Sequence, residues 1–265
     1  MSKTIKQHEL GRDCNFYNID ILAIQETKCT QFSDEKLPTK NRLILFDQKD
    51  SYHGGLGFVI SEKICPFVEK WKSLSDRVAY LDVKLPARNG SFTNCRFVNV
   101  YCPHSKITSK SPHKLKQFYD QVNTATNVPA RWELFILGDF NSKLGKRTYE
   151  DVDCGFGRYM GRYGNGTRND NGESLLNFII DNDLFATNTS FKHKSRHVTT
   201  YTGWTKDWSA GRRSAKTKPF YSQIDYILCR TRSKVMLQDA RSFAGTIVDS
   251  DHKVVVTKID LANVT

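Results

Sequence analysis

No run of apolar residues in this 265-residue chain approaches the roughly 20 needed to cross a bilayer, and the opening MSKTIKQHELGRD carries no hydrophobic signal core. A membrane-spanning helix and a secretory leader are therefore not expected, and the chain reads as intracellular with no membrane partner. Disulfide chemistry is equally poorly provided for. The seven cysteines, at 14, 29, 65, 95, 102, 154 and 229, are odd in number and lie mostly within apolar runs, which suits buried free thiols in a reducing compartment. Cys95, Cys102 and His104 match no zinc-ligand spacing and have no CxxC partner, so zinc is excluded. Repeats, low-complexity tracts and an interdomain linker are also missing, and residues 1–265 are expected to form a single domain.

Acidic residues are the remaining shortage. Against 40 Lys and Arg there are 28 Asp and Glu, a formal net charge of +12. Such an excess attracts polyanions and binds phosphate through counterion release, and by charge taken alone nucleic acid and an anionic membrane surface are both candidates. A merely basic soluble surface would carry the same charge, and charge alone does not choose. Hydrophobic residues at 38% and aromatics at 12% are ordinary for a folded chain, which should be globular.

Short strand-like runs bounded by turn residues recur at Ile19–Gln25, Arg42–Phe46, Gly55–Ser61, Val78–Leu85 and Cys95–Tyr101. Several are adjacent without intervening helices, which favours antiparallel pairing. Helices are expected at Pro112–Asn127, with Ser111 as N-cap and Pro112 at the first position, and at Gly172–Asn182, where Leu175, Leu176, Ile179 and Ile180 share a face. Further strands are expected at Glu133–Leu137, Thr199–Thr202, Gln223–Cys229 and Lys253–Ile259. So many strands in an α/β chain exceed one simple sheet. The expected fold is a four-layered sandwich of two mixed β-sheets flanked by helices. Gly203–Ser222 is the most polar long stretch, with Lys206, Arg212, Arg213, Lys216 and Lys218 against Asp207, interleaved with Trp204, Trp208, Phe220 and Tyr221. It reads as a basic aromatic loop.

Carboxylates at the ends of apolar strands carry the chemistry, because a sheet edge holds them rigidly where they can bind a hard cation. Glu26 ends the strand in AIQET, and Asp139 with Asn141 follows the strand in LFILGDFN. Asp225 lies in SQIDYIL, and Ser250-Asp251-His252 precedes KVVVTKI. Each alone could be a strand-end turn or cap.

The succession QET, NVYCP, GDFN, QIDYIL and SDH, running from about Ile19 to about Ile259, resembles the endonuclease/exonuclease/phosphatase superfamily. That superfamily includes pancreatic-type deoxyribonuclease, abasic-site endonucleases, and inositol and sphingolipid phosphodiesterases. Within it, Gly161–Phe191 together with QIDYILC resembles endonuclease domains of LINE-type, RTE-like non-LTR retrotransposons and their domesticated relatives. The resemblance implies that Glu26 binds a catalytic magnesium, with manganese as the alternative, and that Asp139 positions and deprotonates the attacking water. It implies that Asn141 supports charge on the phosphate and that Tyr101 contacts a phosphate oxygen. His252, hydrogen-bonded by Asp225, would face the scissile phosphate, with Asp251 beside it as a metal or water ligand. In the LINE-type relatives a hairpin before the QIDYIL strand probes the DNA minor groove, which would make Arg212, Arg213, Lys216 and Trp204 contacts to double-stranded DNA.

These residue types suit phosphodiester hydrolysis on chemical grounds too. The substrate is already anionic, so attack needs a cation, an oriented water and a polarised leaving oxygen. A His–Asp pair serves either as a proton relay or, protonated, as a direct stabiliser of the transition state; the sequence leaves both open.

One departure stands out. The superfamily's first strand normally carries a Trp-Asn motif whose Asn helps bind metal or phosphate, whereas SKTIKQHELGRDCNFYNID reads as the helix after it. The chain is expected to be N-terminally truncated, lacking that strand, with neighbouring edges unpaired and catalysis weakened. The leading function is a DNA endonuclease that nicks one strand and exposes a 3′-hydroxyl for target-primed reverse transcription. An abasic-site repair endonuclease and a non-catalytic nucleic-acid-binding remnant are the alternatives; an inositol or lipid phosphodiesterase suits the +12 charge less well. A monomer is expected, and nuclear localisation follows from the substrate alone, since RSAKTKP and GRR are too weak to count as an import signal.

Overall fold

The computed structural model describes residues 3–48, 54–87, 90–207, 216–243 and 250–261. Helix α1 (Lys3–Phe16) leads into β1 (Ile21–Gln25), β2 (Ser33–Lys36), β3 (Arg42–Leu45), β4 (Leu56–Ile60), β5 (Val68–Ser75), β6 (Val78–Pro86) and β7 (Phe92–Tyr101). Then come α2 (Ser105–Thr108), α3 (Pro112–Thr126), β8 (Glu133–Asp139), α4 (Tyr149–Asp153), α5 (Asp170–Asp181) and β9 (Leu184–Ala186). The chain closes with β10 (Tyr201–Asp207), β11 (Lys216–Ser222), β12 (Asp225–Arg230), β13 (Leu237–Phe243) and β14 (Val254–Ile259).

The strands form a six-stranded mixed sheet in the order β5-β6-β7-β8-β12-β9, a four-stranded sheet β1-β4-β3-β2, and two hairpin pairs, β10-β11 and β13-β14. Only β7 and β8 run parallel in the larger sheet, because α3 provides the crossover that a parallel neighbour needs. The smaller sheet is antiparallel throughout.

Side-chain alternation then builds the layers. Along β6, Val78 and Tyr80 face α3 and α5 with Phe118, Val122, Leu175 and Ile179, while Ala79, Leu81 and Val83 meet Ile44, Phe58 and Ile60 of the smaller sheet. Leu43, Leu45 and Val59, on the smaller sheet's other face, pack with Cys14 of α1. The order is helix, sheet, sheet, helices: a four-layered α/β sandwich.

Local signals explain where the helices begin. Asn169 caps α5 by accepting the Gly172 amide at 2.9 Å, so the helix starts at Asp170, before the Gly172 expected from apolar spacing. Ser111 stands at the N-cap of α3 with Pro112 inside it, but the serine side chain makes no capping bond; the fixed proline φ suffices to start the turn. The expected loop over Gly203–Ser222 is corrected at both ends. Residues up to Asp207 and from Lys216 pair as an antiparallel ladder from Tyr201↔Ser222 to Asp207↔Lys216, since β-branched and aromatic residues there favour extended chain. Arg212 and Arg213 lie outside the described residues.

Candidate active site

The ends of β1, β7, β8 and β12 meet at one end of the sandwich. Their convergence is fixed by register: Tyr101 pairs with Asp139 across β7 and β8, and Asp139 with Asp225 across β8 and β12. Gly138 makes the close β7–β8 approach possible, since its φ is +149° and a Cβ there would sit 1.9 Å from the Val100 carbonyl oxygen; no side chain could be accommodated.

Asp139 is 5% exposed. Its Oδ1 accepts the Asn141 amide at 2.7 Å and its Oδ2 accepts Asn141 Nδ2 at 3.0 Å. Asn141 Nδ2 also donates to the Cys102 carbonyl at 2.9 Å, so the carboxamide braces the Asp139 carboxylate against the end of β7. Asn141 holds φ at +46° and Glu26 at +55°, a region costly for non-glycine residues and concentrated at functional sites. Burial is the main reason Asp139 holds its proton well above the usual carboxylate range; the charges of Asp225 and Glu26 add to it, while His252 and the Asn141 amide oppose it.

His252 Nδ1 lies 3.0 and 3.1 Å from the two Asp225 oxygens. Burial lowers the imidazole's proton affinity, but the hydrogen bond and charge of Asp225, with Asp139 and Asp251, outweigh it and push the pKa up to about 9. Ligand atoms of Asp139, Asp225 and His252 all lie within 4.8 Å of one another. Tyr101 donates its hydroxyl to Glu26 Oε1 at 2.5 Å, and burial followed by that bond and the Glu26 charge raise its pKa. Asp251 is exposed at the rim, where its carbonyl accepts the Thr202 amide at 2.9 Å.

Thus Glu26, Tyr101, Asp139, Asn141, Asp225 and His252 come together, Asp251 borders them, and the hairpin starts beside them. Tyr201 at its base bridges to His252, with ring centroids 4.9 Å apart. Trp204 is 65% exposed on β10, and the backbone of Lys216 opens β11.

Three residues not singled out from sequence also belong here. Arg77 donates from Nη1 to the Tyr101 carbonyl at 3.1 Å and stacks over its ring at 4.8 Å. Asn171 donates to the Asn141 carbonyl at 3.3 Å. Asn99, fully buried, donates to the Ile24 and Gly57 carbonyls and accepts from Gln25 Nε2 at 2.7 Å, tying the end of β1 to the larger sheet. An Asn inside the apolar run FVNVY was the available signal for this last one.

The donor set fits a hard divalent cation. Asp139, Asp225 and His252 are close enough to share one, with Nδ1 of His252 already engaged by Asp225, and the repulsion of Asp139 by Asp225 and Glu26 is what such an ion would relieve.

A model described as the Endonuclease/Exonuclease/phosphatase family matches residues 2–252. Craniofacial development protein 2 of Bos taurus is 28% identical over 246 residues, 92% of this chain and 37% of that protein. The chain therefore spans less than two-fifths of that relative. Among solved structures, the catalytic domain of Xenopus laevis APE2 superposes with a TM-score of 0.62 at 15% identity, over 97% of this chain and 90% of that one. The endonuclease domain of TRAS1, a telomere-specific non-LTR retrotransposon, gives 0.55 at 15% identity, over 95% and 90%. At these identities the likeness establishes the fold.

Proposed function

The chain belongs to the endonuclease/exonuclease/phosphatase family, and on that premise we propose that it is a magnesium-dependent DNA endonuclease of the LINE retrotransposon type, or a domesticated relative, that nicks one strand in the nucleus and leaves a 3′-hydroxyl for priming. The observation carrying this reading is the His252–Asp225 pair set against the buried Asp139.

Glu26, with Asp139 alongside, would hold the cation, which when bound supplies charge neutralisation and Lewis acidity at the phosphate. With its pKa near 9, His252 is an imidazolium at neutral pH, so Nε2 donates to a phosphate oxygen and opposes the charge that grows in the transition state. Asp225 keeps Nδ1 protonated and the ring oriented. Asp139, with its raised proton affinity, takes the proton of the attacking water at a carboxylate oxygen as the P–O3′ bond breaks, and the departing 3′-oxygen takes a proton from solvent to become the 3′-hydroxyl. Asn141 fixes that carboxylate, and the Tyr101 hydroxyl steadies Glu26 in the absence of substrate. The +12 net charge and the hairpin's exposed Trp204, Phe220 and Tyr221 favour a long polyanion with stackable surfaces over a small phosphate ester.

Nicking of supercoiled plasmid in magnesium or EDTA tests this reading. Cutting that needs magnesium and is lost in both His252→Ala and Asp139→Ala is expected; a folded chain that binds DNA and leaves the plasmid intact would overturn it. The fold shared with the AP endonuclease of Archaeoglobus fulgidus, at a TM-score of 0.60, supports a second reading, abasic-site cleavage. Preference for a duplex carrying a tetrahydrofuran site over the intact duplex separates the two.

A further inference from the structure

The Asp225 carboxylate holds the His252 imidazole at Nδ1, which leaves the tilt of the ring about that contact open. The base of the β10–β11 hairpin supplies a second restraint. Thr202 donates its amide to the Asp251 carbonyl at 2.9 Å, and Lys253 donates to the Thr200 carbonyl at 2.7 Å. These two bonds straddle the antiparallel bridge Tyr201↔His252, which makes it a non-hydrogen-bonded pair, the kind whose side chains lie closest. The two rings meet accordingly, with centroids 4.9 Å apart and planes at 55°. Thr200, just before, is fully buried, and its hydroxyl accepts the amides of Ile224 and Asp225 at 3.0 and 3.2 Å. One dipeptide therefore touches both members of the His252–Asp225 pair.

Tyr201 is in turn held from behind. Register sets Gly203 opposite Phe220, and alternation puts Tyr201, Gly203 and Phe220 on one face of the hairpin, Trp204 and Tyr221 on the other. With no side chain at Gly203, the Phe220 ring settles onto its backbone: a Cβ there would stand 2.2 Å from Phe220 Cζ. In that place Phe220 meets the Tyr201 ring edge-on, with centroids 6.0 Å apart at 61°, a favourable aromatic pairing. Trp204 and Tyr221, 65% and 56% exposed, occupy the outer face. The hairpin's aromatic residues thus divide, one face leaning on the site and the other open.

We propose that Tyr201 is a positioning residue for His252, its ring walling one side of the imidazole and its own place set by Phe220 packed on Gly203. No proton passes through Tyr201; it keeps Nε2 aimed at the phosphate, a task that rests on the nuclease reading of the site. The ring contact itself does not rest on it. Misplacing a reacting group by about 1 Å costs on the order of 10²-fold in rate, so a wall of this kind acts on turnover more than on substrate binding.

Plasmid nicking kinetics in magnesium test this, together with the His252 Cε1 proton resonance at one pH in EDTA, assigned by its absence in His252→Gln. Tyr201→Ala should lower kcat about 10- to 100-fold with KM little changed, and should move the resonance, since the tyrosine ring current is gone. Tyr201→Phe, which keeps the ring, should restore both. Gly203→Ala should push Phe220 aside and lower kcat about twofold to tenfold, as should Phe220→Ala. Trp204→Ala, on the outer face, should act on KM instead. Wild-type kcat in Tyr201→Ala, or no restoration in Tyr201→Phe, would overturn the proposal. So would the same kcat loss in Trp204→Ala, which would assign the effect to the hairpin as a whole. If the wild-type chain does not nick, the nuclease reading falls and the resonance decides alone: unmoved in Tyr201→Ala, it overturns the proposal. Should Tyr201→Ala not fold, Gly203→Ala and Phe220→Ala decide by the same two measurements.

Discussion

Strand β8 begins and ends on a buried carboxylate, and the two are treated in opposite ways. Glu133, 3% exposed, receives Arg232 Nη2 at 2.7 Å and the Ser233 hydroxyl. Asp139, 5% exposed, receives, among the described residues, the amide and carboxamide of its neighbour Asn141 and shares its surroundings with Asp225, Glu26 and His252. The first is a closed structural ion pair whose removal strands a partner. In the second, burial and the charges of Asp225 and Glu26 oppose ionisation more than His252 and the Asn141 amide favour it, and such a perturbed carboxyl marks functional sites more often than structural ones.

Swapping each carboxylate for its amide sharpens that contrast. Asp139→Asn should cut plasmid nicking by about 10²–10⁴-fold, the usual scale for a lost general base, while the melting temperature holds or rises because a repelled buried charge is gone. Glu133→Gln should do the reverse, leaving nicking intact and costing about 1–3 kcal/mol in a denaturant titration. Activity loss in Glu133→Gln without destabilisation would erase the distinction.

The next effect is on pH dependence. His252, near 6.5 when unfolded, rises to about 9 in the fold, so the fold binds the proton more tightly than the unfolded chain does. The stability from its pairing with Asp225 is therefore complete below about pH 6.5 and is lost as pH rises through about 9. Unfolding titrations in EDTA across that window should show a falling slope, and Asp225→Asn should flatten it.

The smallest effects concern thiols at the two kinds of surface. Burial pushes Cys14, Cys95 and Cys229 up to about 12, whereas Cys154 is exposed. Iodoacetamide at pH 8 should label Cys154 in minutes and spare those three until the chain is unfolded, as read by peptide mass spectrometry; early labelling of Cys95 would mean the core between the sheets opens readily.

The central strands and their terminal carboxylates were readable in the sequence because they are apolar runs that end at Glu26 and Asp139 or begin at Asp225. Edge strands were not. Ser33–Lys36 (SDEK), Val68–Ser75 (VEKWKSLS) and Leu237–Phe243 (LQDARSF) carry charges and keep one side in solvent, which blurs the period-2 pattern. Asn171 and Arg77 were hidden for another reason: they reach the site from a helix start and a turn, through backbone carbonyls that no motif marks. Tyr201 owes its place to a single bridge with His252, a contact 51 residues distant along the chain.

That bridge has a metric consequence. From Tyr201 the ladder climbs through seven paired positions to Asp207↔Lys216, and at about 3.3 Å per residue a strand of that length spans roughly 20 Å. The hairpin is thus a ruler with its zero mark at the imidazole. Lengthening or shortening it by two residues, which preserves facing, would shift the Asp207↔Lys216 end relative to the imidazole by about 7 Å; for the proposed DNA substrate that is close to two nucleotide steps at about 3.4 Å each.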